Sequence, residues 1–275
     1  MIFLKHFMPS SGKIGEIFMK RIAVITGASS GIGKKFVEML ETYDTFDEVW
    51  VIARRLERLE ELKNKISFPI KTIPLDLTEE ASFERYSFLL GEEKPEIVLL
   101  VNCSGFGKFC ATLDTPLEEN LNMVDLNCKA VMAMCQLSIP YMKKGAKIIN
   151  IASVAAFQPI PYINVYGATK AFVLSYSRAL NREMKQRGIT VTAACPFWTK
   201  TEFFNRAIKK NENTVVKKYV AMYVPEQIVK RAFRDAKRGR DVSKYGFVAR
   251  FQMLLAKILP HSFVMSYWMH QQKLK

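Results

Sequence analysis

The sequence predicts an α/β protein: a single doubly wound parallel sheet with helices on both faces. Three observations carry that expectation. Short apolar, β-branched runs alternate with helical stretches from residue 21 to residue 195. One run, residues 97–102 (IVLLVN), is almost wholly apolar, as a strand buried on both faces must be. No low-complexity tract or linker interrupts the rhythm in a chain of 275 residues, 49% hydrophobic and 24% charged.

The elements follow in order. Residues 21–26 (RIAVIT) read as a strand, then a Ser/Gly turn, then a helix over 34–41. Residues 49–53 form a second strand, and the charged stretch 56–65 a helix with leucines at 56, 59 and 62. A third strand spans 71–75, with Pro74 marking its end, and a helix spans 79–90. After the strand 97–102 come a long helix over 117–142, a strand at 147–151, a helix over 165–187 and a strand at 190–195. Strands separated by helices need crossover connections, and those give a parallel sheet covered on both sides. Beyond Cys195 the pattern loosens: 197–224 mixes aromatics with lysines, Pro225 opens a helix to about Arg238, and 245–269 is apolar and aromatic. The expected organisation is a loose extension over 1–18, a catalytic domain over 19–245 and an apolar, basic tail over 246–275, with Met19 an alternative start.

Chemistry begins at Thr26-Gly27-Ala28-Ser29-Ser30-Gly31-Ile32-Gly33. A strand, a glycine turn and a helix place backbone N–H groups at a helix N-terminus, where dipole and donors together can neutralise a pyrophosphate. Tight turns use the same residues, but the strand before and the helix after favour a phosphate cradle. The second strand ends in Ala53-Arg54-Arg55. A carboxylate there would bind the ribose hydroxyls of NAD, whereas guanidiniums form charge-assisted bonds to a 2′-phosphate. The plainer reading is two arginines opening a solvated helix; beside the glycine turn, NADP (NADPH) is the expected cofactor.

Tyr166 and Lys170 lie four apart in a helical stretch, so both face one side, roughly 5–6 Å apart at Cβ. A phenol, with pKa near ~10, is a poor base at neutral pH, and an adjacent ammonium favours its ionised form. Alone, that pair arises by chance on surface helices. Ser153 stands 13 residues before Tyr166, just past the strand KIINI, at the sheet edge where such folds bind ligands.

The T-G-x-x-x-G-x-G turn together with Ser153, Tyr166 and Lys170 resembles the short-chain dehydrogenase/reductase family, over about residues 20–240. The resemblance implies a Rossmann fold and a nicotinamide-dependent carbonyl–alcohol oxidoreductase. It makes Tyr166 the general acid/base, Lys170 the residue that binds the nicotinamide ribose and lowers the tyrosine pKa, and Ser153 the group that orients the substrate oxygen. It assigns Asn127 to a proton-relay water and Asp76-Leu77 to the adenine. The turn Asn102 to Gly105 would flank the cofactor, and Thr201 would stand near the nicotinamide and phosphates. It further implies a homodimer or homotetramer. Four positions depart from the pattern: Cys103 and Ser104 within the Asn102–Gly105 turn, Phe197 after Pro196, and Ala152 before the serine that the resemblance makes catalytic. These leave the chemistry intact and alter the pocket.

The segment 197–224 lies where the family places a substrate lid, and its Phe197, Trp198, Phe203, Phe204, Tyr219 and Tyr223 favour a bulky hydrophobic steroid-, acyl- or retinoid-like substrate. Cys103, Cys110, Cys128, Cys135 and Cys195 form no C-x-x-C pair, so a reducing compartment, the cytoplasm, and no metal site are expected. No apolar run approaches the ~18–20 residues of a membrane span. Net charge is +15, and residues 206–275 carry 16 basic and 4 acidic residues of that imbalance. A solvated surface explains the charge, and no nucleic-acid module is expected. Dimer packing or a pocket wall is the first reading of the apolar tail, and a peripheral contact with an anionic membrane is the sharper alternative. The rival functions are an NADP(H)-binding sensor without turnover and a membrane-docking module acting through the tail.

Overall fold

Runs that can be buried on both sides assemble into one sheet. The computed structural model describes residues 19–208 and 215–274; residues 1–18, expected as an extension, and 209–214 of the expected lid lie outside the described residues. The strands are β1 (Arg21–Thr26), β2 (Glu48–Ala53), β3 (Ile70–Pro74), β4 (Glu96–Asn102), β5 (Lys147–Ile151), β6 (Thr190–Cys195) and β7 (Val242–Lys244). All pair in parallel in the order β3-β2-β1-β4-β5-β6-β7. The winding reverses between β1 and β4, which opens a crevice at the carboxyl ends of these two strands.

The helices are α1 (Gly31–Glu38), α2 (Leu56–Glu60), α3 (Glu80–Glu93), α4 (Leu117–Val124), α5 (Ala130–Ser138), α6 (Asn164–Met184), α7 (Phe203–Ala207), α8 (Pro225–Lys237), α9 (Phe247–Ile258) and α10 (His261–Gln272). Alternate residues of β1 serve opposite faces, as the pleat requires. Ala23 and Ile25 pack with Phe36, Val37 and Phe233 on one side. Ile22 and Val24 pack with Tyr86, Leu90 and Met134 on the other.

The doubly wound sheet is the one expected from the sequence, with four local differences, the first being that α2 ends at Glu60 and not at residue 65. β7 was not anticipated, because three residues carry no readable periodicity. The expected helix 117–142 is divided: Asp125–Lys129 forms a π turn between α4 and α5, and the chain leaves α5 through a short turn containing Pro140, which cannot donate to the helix ladder. The apolar stretch 245–269 is two helices parted at Pro260 for the same reason.

Candidate active site

The glycine turn is shaped by what it touches. Gly27 has φ 68°, and a Cβ there would stand 2.8 Å from the Cys103 carbonyl carbon. A Cβ on Gly33 would stand 2.3 Å from the Gly27 carbonyl oxygen, so only glycine lets α1 settle on its own turn. Thr26 locks the neighbouring turn to this one: its hydroxyl oxygen accepts from the backbone N–H groups of Cys103 at 3.0 Å and Ser104 at 3.1 Å. No acidic residue occupies the first turn of α1, leaving its N-terminal dipole to the cleft. Gly27, Ser29, Ser30, Gly31, Ile32 and Gly33 all line that cleft.

Past the end of β2, Arg54, Arg55 and also Arg58 line the same opening. Arg55 donates to the Ser29 hydroxyl at 3.0 Å, and Arg54 stands 3.4 Å from Asp76. Burial raises the Asp76 pKa, but hydrogen bonds from Thr78 and the Arg54 charge outweigh it and hold the carboxyl below its usual range. Leu77 lines the cleft beside it. Arg58 was not singled out from the sequence; its signal was a third arginine one helical turn beyond the pair.

At the other end stand Ser153, Tyr166 and Lys170, brought together from the turn after β5 and the first turns of α6. The Ser153 hydroxyl accepts from Ala155 N–H at 3.1 Å. Lys170, buried, donates to the Ile151 carbonyl at 2.7 Å and lies 5.8 Å from the centre of the Tyr166 ring. Burial pushes the Tyr166 phenol up to about 12, against a hydrogen bond with Ser153 that lowers it. The sequence expectation was a phenol lowered by Lys170; instead burial dominates, and it lowers Lys170 itself to about 8.

Thr201 lines the cleft opposite Gly31: a Cβ on that glycine would lie 3.3 Å from the threonine Cβ. Gly105 lines it as well. Asn102 and Asn127 are placed differently. The Asn102 side chain is buried beneath the sheet edge, donating to Asn150 at 2.8 Å, and is not among the residues that line the cleft. The strand pleat turns this side chain inward, where it supports the turn that flanks the cleft. Asn127, in the π turn, donates to the Phe106 carbonyl at 2.9 Å and accepts from Phe106 N–H at 3.1 Å, holding the loop after β4. Its side chain does not line the cleft.

The cleft continues past Tyr166 into an aromatic wall. Phe109 and Phe203 lie with ring centres 6.1 and 5.5 Å from that of Tyr166, and Trp198 lies 5.8 Å from Phe109. Trp268 of α10 closes the far side, held by its Nε1 donating to the Pro161 carbonyl at 3.1 Å. Phe109, Arg206 and Trp268 come from loops and helices whose approach only folding decides. The whole cavity has a volume of about 780 Å³. A phosphate cradle of glycine backbone, guanidiniums at one end and a Ser–Tyr–Lys group at the other fit an extended dinucleotide with a substrate beside it. Among the described residues no group of His, Cys, Asp and Glu is arranged to hold a metal.

Comparison with known proteins agrees with this geometry. The family model described as short chain dehydrogenase matches residues 21–212. The chain is 33% identical over 218 residues to mouse 17-beta-hydroxysteroid dehydrogenase type 3, covering 74% of this chain and 70% of that one. It is 32% identical over 190 residues to human very-long-chain 3-oxoacyl-CoA reductase, covering 66% of this chain and 60% of that one. A short-chain dehydrogenase from Sphingobium yanoikuyae, solved in complex with NADPH, superposes with a TM-score of 0.72 at 26% identity, over 90% of this chain and 96% of that one.

Proposed function

The chain belongs to the short-chain dehydrogenase family, and as an oxidoreductase of that family, using a nicotinamide dinucleotide, we propose that it works with NADP(H) on the carbonyl or alcohol of a bulky apolar substrate. The observation that carries this is the convergence of Ser153, Tyr166 and Lys170 in one cleft, between the glycine turn and the aromatic wall.

When bound, the nicotinamide supplies or accepts the hydride. The chain's residues do the rest. Gly27 to Gly33 and the N-terminus of α1 hold the pyrophosphate, and Thr201 faces it from across the cleft. Arg54, Arg55 and Arg58 meet a 2′-phosphate, because three guanidiniums favour that dianion over a bare ribose hydroxyl. The Sphingobium yanoikuyae relative bound to NADPH supports this preference. Lys170 binds the nicotinamide ribose. Ser153 donates to the substrate oxygen, and in reduction Tyr166 delivers the proton to it, which its neutral state at physiological pH permits. Phe109, Trp198, Phe203 and Trp268 exclude water and take the apolar body of the substrate. The steroid and long-chain acyl names of two relatives point to the same class.

The α4 residues Leu117, Leu121 and Val124, 73%, 55% and 44% exposed at helical spacing, support a second copy packed there, as a homodimer or within a tetramer.

The test is nicotinamide oxidation followed by absorbance over a panel of steroid, acyl and aromatic ketones, with NADPH and NADH compared and Tyr166→Phe as control. Turnover with NADPH that disappears in the variant is expected. NADPH binding without turnover on any substrate would favour a sensor instead.

A further inference from the structure

Helix α9 is apolar on two faces. Inward, Ala249, Met253 and Ala256 are buried, the first two against Val173 and Ala193. Outward, Phe247, Phe251, Leu254 and Ile258 are 82%, 51%, 53% and 68% exposed. Spaced i, i+4, i+7 and i+11, these four form a stripe about 60° wide at roughly 3.6 residues per turn. The inward face already satisfies the core, so the outward one is not explained by folding. Large apolar side chains lined up in water along a packed helix mark an interaction surface.

Charge selects the partner. Arg250 and Lys257, both exposed, fall along one edge of the stripe. No Asp or Glu occurs anywhere from residue 242 to residue 275, whereas that segment carries five Lys and Arg. A second copy docked on this face would set cation against cation. An anionic lipid surface offers the complement to both parts: acyl chains for the stripe and phosphates for its basic edge.

We propose that α9 docks the protein on the surface of an anionic phospholipid bilayer, with Phe247, Phe251, Leu254 and Ile258 entering the headgroup–acyl boundary and Arg250 and Lys257 meeting lipid phosphates. Among the described residues no helix is long and apolar enough to cross a membrane, and this contact needs none. Gln252 of α9 and Trp268 and Gln271 of α10 line the aromatic end of the cleft. Docking by α9 therefore brings that end near the lipid, where apolar substrates concentrate. Lipid binding is read without substrate, so its outcome is separate from that of the oxidoreductase reading.

The experiment is sedimentation of the full chain with vesicles of phosphatidylglycerol and phosphatidylcholine, beside vesicles of phosphatidylcholine alone. Sedimentation with the anionic vesicles, reversed by salt, is expected. The paired variant Phe251→Glu/Leu254→Glu should lower the bound fraction roughly tenfold or more, since it removes two apolar anchors. Arg250→Gln/Lys257→Gln should lower binding to the anionic vesicles only. Both pairs lie outside the cleft, so unchanged NADPH binding certifies their fold. Three results would overturn the proposal: full chain left in the supernatant with both vesicles, undiminished sedimentation of the Glu pair, or a smaller oligomer for the Glu pair in lipid-free sedimentation velocity. The last would give the stripe to a second copy.

Discussion

Glu202, in the loop after β6, accepts a hydrogen bond from Arg58 of α2 at 2.7 Å and stands 3.7 Å from Arg55, so one carboxylate joins two guanidiniums across the mouth of the cleft. All three side chains are 39–50% exposed, which makes the pairing weak, about 0–1 kcal/mol. A phosphate carrying more charge should displace the carboxylate. Glu202→Gln is therefore expected to tighten NADPH binding about two- to fivefold. Arg55→Ala should weaken it about tenfold or more, through loss of a charge-assisted bond, while NADH binding changes little. Fluorescence titration of both cofactors measures this; equal effects on NADPH and NADH would place the arginines away from the 2′-phosphate.

Lys170 sets an expectation for pH. Burial lowers its pKa to about 8, so it sheds its proton earlier than a free lysine and is cationic only below that value. The kcat/KM for reduction reports groups of the free enzyme and is expected to stay level at neutral pH and fall as pH rises through about 8. Lys170→Met should be slow at every pH and lose the step. A wild-type profile level to pH values well above 8 would exclude Lys170 as the titrating group.

Gly107 faces the Tyr166 ring. A Cβ there would lie 2.9 Å from Tyr166 Cδ2 and 2.9 Å from Phe203 Cζ, too close unless a ring moves. Gly107→Ala should lower kcat by roughly ten- to a hundredfold, as displacement of a reacting group by about 1 Å does. The thermal midpoint should fall by only a few degrees. Unchanged kcat would mean that the loop carrying Gly107 gives way and leaves the Tyr166 ring in place.

Stability rests partly on one buried polar pair. The hydroxyl groups of Tyr86 and Ser138 lie 2.8 Å apart with both residues wholly buried. Ser138→Ala strands the phenol and should cost about 1–3 kcal/mol in chemical denaturation. The companion Tyr86→Phe/Ser138→Ala should recover much of that loss, because no unsatisfied group remains.

The legible part of the site was the part carried by local pattern. Gly27, Gly31 and Gly33 were readable because a strand must turn sharply into a helix there, and Tyr166 and Lys170 because a spacing of four has one geometric meaning on a helix. For Asn102 the position next to the turn says nothing about which way the pleat points its side chain, which bonds Asn150 inside the sheet. The Tyr166 pKa misled because an ammonium nearby was weighed without the burial that raises the phenol and depresses the lysine alike. Phe109, Arg206 and Trp268 carry no spacing signal, since each reaches the cleft from an element whose approach is a long-range event.

The sequence by itself determined the strand–helix alternation, the parallel sheet, the glycine turn and the spacing that sets Tyr166 and Lys170 on one helix face. These depend on backbone sterics and hydrophobic period, both of which act within a few residues. Only the tertiary structure decided the dielectric around Tyr166 and Lys170, the Glu202 link between Arg55 and Arg58, the aromatic wall, and which face of α9 stays in water. Each of these is set by segments far apart in the chain meeting as the core closes, and packing of that kind leaves no periodic trace in the residues themselves.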